Sequence, residues 1–374
     1  MIDDLRIHLA IIMYLLGCFA LMIYNAIIIY RKKRQRNTMA RRTESWMTSI
    51  NKEILTREVI ETLSLVHERE IVQRLNRVED LIAYMNALNH FKQDHKQAHF
   101  FNNYMNMLVK SNVFFTLSID YLEKRNEEKA YFAYFISQYP QAAQTESGVC
   151  TNTTNTIVSY INDSDIYCRT NVLKALCKVG DMYGIVNVLQ FYSDSNSYVH
   201  HKLLAEDLFN FAGDREVLAL FLWDNYRTWN FNIVVGVVTF ITMFSTAFKT
   251  AFLPALKNKS LNAEIRLAII RYYKKYHHAP AQDTIIEYLG QTDNYAFANQ
   301  AASALSEYPS NATTSALTIA LDSDNWYVRR NAIVSLIALG EYTGGMVDSD
   351  LPSTNTEARQ LIQYTLEHAS EEKV

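Results

Sequence analysis

One stretch of the chain, DSDIYCRTNVLKALCKVGD at Asp163 to Asp181, returns as DSDNWYVRRNAIVSLIALGE at Asp322 to Glu341. Between them lie weaker copies beginning at Asp194, Leu261 and Thr292, with the stretch from Asn230 the least typical. Aligned on the arginine of the strong copies, the register runs Arg169, His200, Asn232, Arg266, Ala298, Arg329, in steps of 31 to 34 residues. That is the length of a helix-pair repeat. A pair of amphipathic helices cannot bury both of its faces alone, so successive copies must stack into a continuous core. Only 10 Gly and 5 Pro stand against 24 Tyr and 18 Phe, too little turn chemistry for a sheet-rich fold. The expected fold is all-α.

Within the first strong copy, Asp165 is placed to cap a helix carrying Val172, Leu173, Leu176 and Val179 as a buried stripe. Gly180 is placed to end that helix, and Met182 to Phe191 to begin the next. An Asp-containing turn, an Arg near the start of the second helix, and small and aliphatic residues running to a Gly resemble the HEAT-repeat family over roughly Ser159 to Gly345. A less regular pair at Asn126 to Pro140 extends the resemblance towards the N-terminus. It implies a superhelical α-solenoid. It also implies that Asp163, Arg169, Asp322 and Arg329 tie turns together rather than serve a ligand.

Before the repeats, Ile7 to Tyr30 reads IHLAIIMYLLGCFALMIYNAIIIY, long enough at about 1.5 Å per residue to cross a hydrocarbon core of roughly 30 Å. A cleavable signal peptide has a shorter apolar region after a basic start, which this stretch lacks. Asp3, Asp4 and Arg6 precede it, whereas Arg31, Lys32, Lys33, Arg34, Arg36, Arg41 and Arg42 follow it. The positive-inside bias therefore predicts a single-pass protein of the cell membrane, with its N-terminus outside and all that follows Tyr30 in the cytoplasm. The basic run Arg31, Lys32, Lys33, Arg34 and Arg36 is read as a membrane flank meeting anionic lipid headgroups. On the cytoplasmic side the sequons at Asn152, Asn162, Asn258 and Asn311 are chance matches.

The expected organisation is a short extracytoplasmic N-terminus (1–6), a transmembrane helix (7–30) and a basic juxtamembrane segment (31–43), then an N-terminal helical region (44–125), HEAT-like repeats (126–345), and a C-terminal capping helix and tail (346–374). The apolar run Ile233 to Phe248 falls in register with the repeats and is short for a span, so it is expected as a core helix. Ile71, Leu75, Val78, Ile82 and Met85 follow a 4-3-4-3 spacing. That is too short a run for a secure coiled coil, and it predicts an ordinary packed helix.

Chemistry has little foothold. No phosphate-binding glycine loop or nucleophile elbow is present, and the four cysteines show no CxxC spacing. His67 lies in HERE, which lacks the second histidine of HExxH. His90, Asp94, His95 and His99 have metal-like spacing but no evident full ligand set. No catalytic residue, metal or cofactor is assigned. A net charge of −3 gives no nucleic-acid footprint, although a HEAT-like nucleic-acid binder and a HEAT-like lyase or metal enzyme are the competing readings. The leading reading is an interaction scaffold for an integral membrane partner. In HEAT-like arrays the second helices line the concave face, so Tyr167, Tyr198, His201, Trp229, Tyr295, Trp326, Tyr327 and Arg330 become the candidate partner-binding residues. Lys274, Lys275, His277 and His278 add a basic patch. One span, a basic flank and a HEAT-like domain is similar to bacterial membrane-anchored HEAT-repeat proteins associated with family 2 glycosyltransferases, which implies such an enzyme as partner.

Overall fold

The computed structural model describes residues 2–55, 62–93, 98–145, 148–162, 165–291 and 294–341, with 359–360 and 364–365. Among these the fold is all-α except for one hairpin, in which Gln144 stands opposite Val149 and Thr145 opposite Gly148. The expected C-terminal capping helix and tail at 346–374 fall largely outside the described residues. The chain divides into two compact units, Met1–Gly184 and Ile185–Val374.

The first unit holds α1 (Ile2–Leu55), α2 (Leu65–Leu75), α3 (Val78–Gln93), α4 (Ala98–Val109), α5 (Val113–Leu122) and α6 (Asn126–Gln138). The strands β1 (Gln144–Thr145) and β2 (Gly148–Val149), α7 (Thr151–Val158) and α8 (Ile166–Val179) follow. α1 is a single helix of 54 residues that runs unbroken through the expected span and basic segment. From residue 12 to residue 38 it is exposed apart from partial cover at Cys18 and Ile28. Beyond that it enters the core, burying Trp46 and Ile50 completely or nearly so. There it packs on α3 and α4, while α6 packs along α8 and both α2 and α7 pack on α5.

Local chemistry explains α8 residue by residue. The Asp165 carboxylate accepts from the Cys168 N–H at 2.8 Å, and Val172, Leu173, Leu176 and Val179 are buried. Gly180, at φ +89°, takes the left-handed conformation that ends the helix without a Cβ clash. The 4-3-4-3 stripe, by contrast, does not lie on one helix. α2 stops at Leu75 and α3 begins at Val78, so Ile71 and Leu75 are buried from one helix and Met85 from the next.

α9 (Met182–Asp194) begins at the end of the first unit. The second unit continues with α10 (His201–Phe209), α11 (Arg215–Asp224), α12 (Phe231–Phe244), α13 (Lys249–Lys257), α14 (Ala263–Lys275), α15 (Gln282–Leu289), α16 (Tyr295–Ala304), α17 (Asn311–Ala320) and α18 (Trp326–Ala338). Helices α10, α12, α14, α16 and α18 pack in succession, each on the next. α11, α13, α15 and α17 each pack on the even-numbered helix that follows, so this unit is a stack of helix pairs.

Side chains at matching repeat positions join the layers. Asn331 donates to the Asn299 carbonyl at 3.2 Å, and within the first unit Asn171 donates to the Ala130 carbonyl at 3.1 Å. Both lie two residues past the register arginine. Arg329 itself donates to the Ser323 carbonyl at 2.7 Å and Arg266 to the Leu261 carbonyl at 3.0 Å, so these arginines fasten the turn that precedes their helix. The apolar run from Ile233 becomes α12, a 14-residue helix that buries Ile233 to Val238 and ends at Ser245. Ser245 donates to Glu216 at 2.7 Å. The helix is a core element, as its register requires.

Candidate functional site

Of the eight aromatic, histidine and arginine residues expected to open the partner-facing helices, seven reach the surface at least in part. Tyr167, Tyr198 and Tyr327 are more than 60% exposed, Tyr295 and Trp326 less so, Arg330 is exposed and His201 is half-buried. Trp229 corrects the expectation. It is 6% exposed, and its indole N–H donates to Gln190 of α9 at 3.0 Å. Gln190 lies 39 residues away, so Trp229 pins the start of α12 to an earlier helix and offers no surface to a partner.

In the second unit Trp326 and Tyr327 meet edge to face at 5.0 Å on the first turn of α18, with the Arg330 guanidinium 6.0 Å from the Trp326 ring. His201 stacks on His200 at 4.7 Å. Burial and the neighbouring His200 hold its pKa below the usual histidine value. The basic patch is engaged internally. Lys275 donates to the Thr242 and Met243 carbonyls at 2.8 and 3.0 Å, capping the end of α12, and Lys274 donates to Ser303 at 2.7 Å. His277 lies against Tyr308 and His278 stacks on Tyr273.

The first unit contains a feature that the repeat register did not reveal. Tyr131 and Tyr134 of α6 are 44% and 38% exposed, and with Tyr167 of α8 they line a groove of 360 Å³ between the two helices. Glu127 and Asp165 lie at the same groove, giving it an aromatic wall and two carboxylates. Tyrosines one helical turn apart on α6 are a legible signal, but only the packing of α6 along α8 brings Tyr167 beside them.

His67 has a structural role. It is buried, with Nε2 2.9 Å from the Tyr104 hydroxyl and Nδ1 3.3 Å from Ser49 Oγ. Tyr104 in turn bonds Tyr84 at 2.9 Å, and Ser49 donates to Glu70 at 2.6 Å. The network thus ties α1 to α2, α3 and α4. Burial lowers the His67 pKa, with Glu53 and Glu70 opposing the shift. Asp94, His95 and the side chain of His99 lie outside the described residues. Among the described residues no group of three His, Cys, Asp or Glu could hold a metal ion.

The basic residues after the apolar stretch all lie on α1. Arg31, Lys32, Lys33, Arg34 and Arg36 are exposed. Deeper along the helix, Arg42 pairs with Asp80 at 3.2 Å and lies 3.8 Å from Glu79.

A solved engineered protein, a structural-genomics target, aligns with 12% identity and a TM-score of 0.34 over 87% of this chain and 98% of its own. At that score the likeness carries no argument. No curated protein matches. Residues 250–337, from α13 into α18, match the profile of a family described as HEAT repeats, over part of the second unit's stack of helix pairs.

Proposed function

We propose that this chain is a membrane-tethered scaffold that holds and organises an integral membrane partner on the cytoplasmic face. The observation that carries the reading is the two-part character of α1. Its apolar window has a mean hydropathy of 2.2 and none of it is buried, yet the same helix goes on to bury Trp46 and Ile50 in a folded core. An exposed surface of that size and character calls for a cover, and a bilayer is the cover it fits by length. The basic residues lie on the side of the packed unit, which supports a cytoplasmic location for it.

HEAT repeats generally present surfaces to other proteins, and the Tyr131, Tyr134 and Tyr167 groove together with the Trp326, Tyr327 and Arg330 cluster offers the residue types that anchor interfaces. The reading requires no catalysis and no cofactor. A partner confined to the same membrane gains local concentration, which favours an integral membrane protein. The layout's similarity to membrane-anchored HEAT proteins that accompany family 2 glycosyltransferases makes a polysaccharide-synthesising enzyme the first partner to test.

The experiment is cross-linking in native membranes followed by purification in mild detergent. Wild type is compared with a Tyr131→Ser, Tyr134→Ser, Tyr167→Ser variant and with a Trp326→Ala, Tyr327→Ala variant. A membrane protein recovered with wild type and lost from at least one folded variant supports the scaffold. Recovery of no membrane protein with well-folded wild type rejects it.

A further inference from the structure

We infer that a cleft on the first unit, immediately past the apolar stretch of α1, binds the phosphate-bearing headgroup of an anionic lipid; this rests on the membrane-tethered reading. The cleft has a volume of 780 Å³ and is lined by Lys32, Arg34, Arg36 and Arg42 of α1, by Glu79 of α3 and by Tyr131 of α6. That volume lies within the range of small-molecule sites, roughly 300 to 1,000 Å³. It is built from three helices, which sets it apart from a loose basic tail.

Charge within the cleft is graded along the helix axis. Lys32 lies two residues past Tyr30, which at about 1.5 Å per residue places it in the headgroup layer, a zone of roughly 5 to 7 Å outside the hydrocarbon. Arg42 lies about 15 Å further along. At that inner end Arg42 is committed to Asp80 at 3.2 Å and lies near Glu79, so the one lining carboxylate sits beside an arginine. At the outer end Lys32, Arg34 and Arg36 have no carboxylate partner among the described residues. An anion entering from the membrane therefore meets three uncompensated cations and, across the cleft, the Tyr131 ring and hydroxyl, a side chain suited to the boundary between apolar and wet. Lys32 and Arg36, one helical turn apart, both line the cleft, whereas Arg31 and Lys33, their neighbours in sequence, do not.

This placement separates a built site from diffuse attraction, in which only the number of basic residues matters. The test uses the full chain in nanodiscs of phosphatidylcholine containing a minor fraction of phosphatidylglycerol. Tightly retained lipid is identified by native mass spectrometry after partial delipidation. Lys32→Gln with Arg36→Gln is compared with Arg31→Gln with Lys33→Gln, two variants of equal charge. The expected result is that the cleft variant loses retained phosphatidylglycerol at least about ten-fold more than its charge-matched control. Equal loss in both, or loss in neither, overturns the site. Glycerol 3-phosphate that displaces the lipid at equal concentration assigns the cleft to a soluble phosphate ester and overturns the lipid assignment. Alkaline extraction of the same membranes checks the tether separately, since a chain released by alkali fails that reading whatever the variants retain.

Discussion

Replacing Trp46 with Ala should cut the connection between the exposed part of α1 and the core of the first unit. The Trp46 side chain is completely buried, meets the Tyr84 ring edge-on at 5.0 Å and lies 3.8 Å below the Arg74 guanidinium. Burial of an aromatic side chain removes roughly 150–250 Å² from water, which at about 25 cal/mol per Å² is worth about 4–6 kcal/mol. Alanine keeps part of that and the core closes partly over the gap, so the net cost is about 3–5 kcal/mol. Loss of the cation–π contact adds about 0.5–2 kcal/mol. Phenylalanine separates packing from chemistry. It keeps most of the ring contacts, and it removes an indole N–H that is buried with no hydrogen-bond partner among the described residues, a group costing about 1–3 kcal/mol. The two effects of Trp46→Phe nearly cancel, and its stability should stay within about 1 kcal/mol of wild type. The assay is hydrogen exchange of the full chain in detergent, followed in peptides covering Leu81 to Leu88 of α3. Protection there should fall by roughly two and a half to five orders of magnitude in Trp46→Ala, at about 1.4 kcal/mol per decade, and by less than about ten-fold in Trp46→Phe. The reasoning is refuted if Trp46→Phe is as damaging as Trp46→Ala, or if Trp46→Ala changes protection less than about ten-fold.

Two further outcomes follow from groups already described. Because burial lowers the His67 pKa below 6.5, the unfolded chain binds the proton more tightly than the folded one, so stability is full above about pH 6.5 and falls as pH drops towards the folded value. Burial pushes the Glu70 carboxyl up, but hydrogen bonds from Ser49 and Arg74 hold it below its ordinary 4.5, and its contribution is lost only at lower pH still. Thermal melts from pH 7.5 to 5 should therefore show an acid-side decline that is flattened in His67→Gln; identical declines would exclude His67 as the source. Gly236→Ala sets two effects against each other. A helical Ala gains about 1 kcal/mol over Gly, but its Cβ would stand 2.5 Å from Leu204 Cδ2 and 3.0 Å from Cγ, and such overpacking costs about 1–3 kcal/mol. The net expectation is a lower melting temperature, and a rise would show that α10 gives way more readily than its packing implies.

What could be read from the sequence was mostly local. Asp165, the Val172 to Val179 stripe and Gly180 act within α8, and their spacing alone specified a cap, a buried face and a stop. The repeat register placed α12 in the core because a steady step leaves no room for a second span. The misses arose where distant segments meet. Trp229 opens α12, as expected, but Gln190 of α9 accepts its indole proton and takes it out of the surface. Nothing such as Gly or Pro marks the turn at Asn76 and Arg77, so a spacing that looked continuous was divided between two helices. Tyr131 and Tyr134 lie on a helix where the repeat is less regular, and only packing revealed them as a pair beside Tyr167. The layer-joining role of Asn171 and Asn331 was present in the alignment as a shared letter, without the partner carbonyl that explains it.

The continuity of α1 has a mechanical consequence. A flexible linker of the 16 residues from Tyr30 to Trp46 would let a tethered domain wander about 20–24 Å in any direction. The same residues as a helix span a similar distance, about 24 Å, but hold the first unit at one height and one azimuth relative to the exposed apolar part of α1. Reach is exchanged for aim. Each residue added to the exposed stretch would lift the unit by about 1.5 Å and turn it by about 100°, so any surface that must face a neighbour in the membrane depends on the phase of this helix as well as on its length.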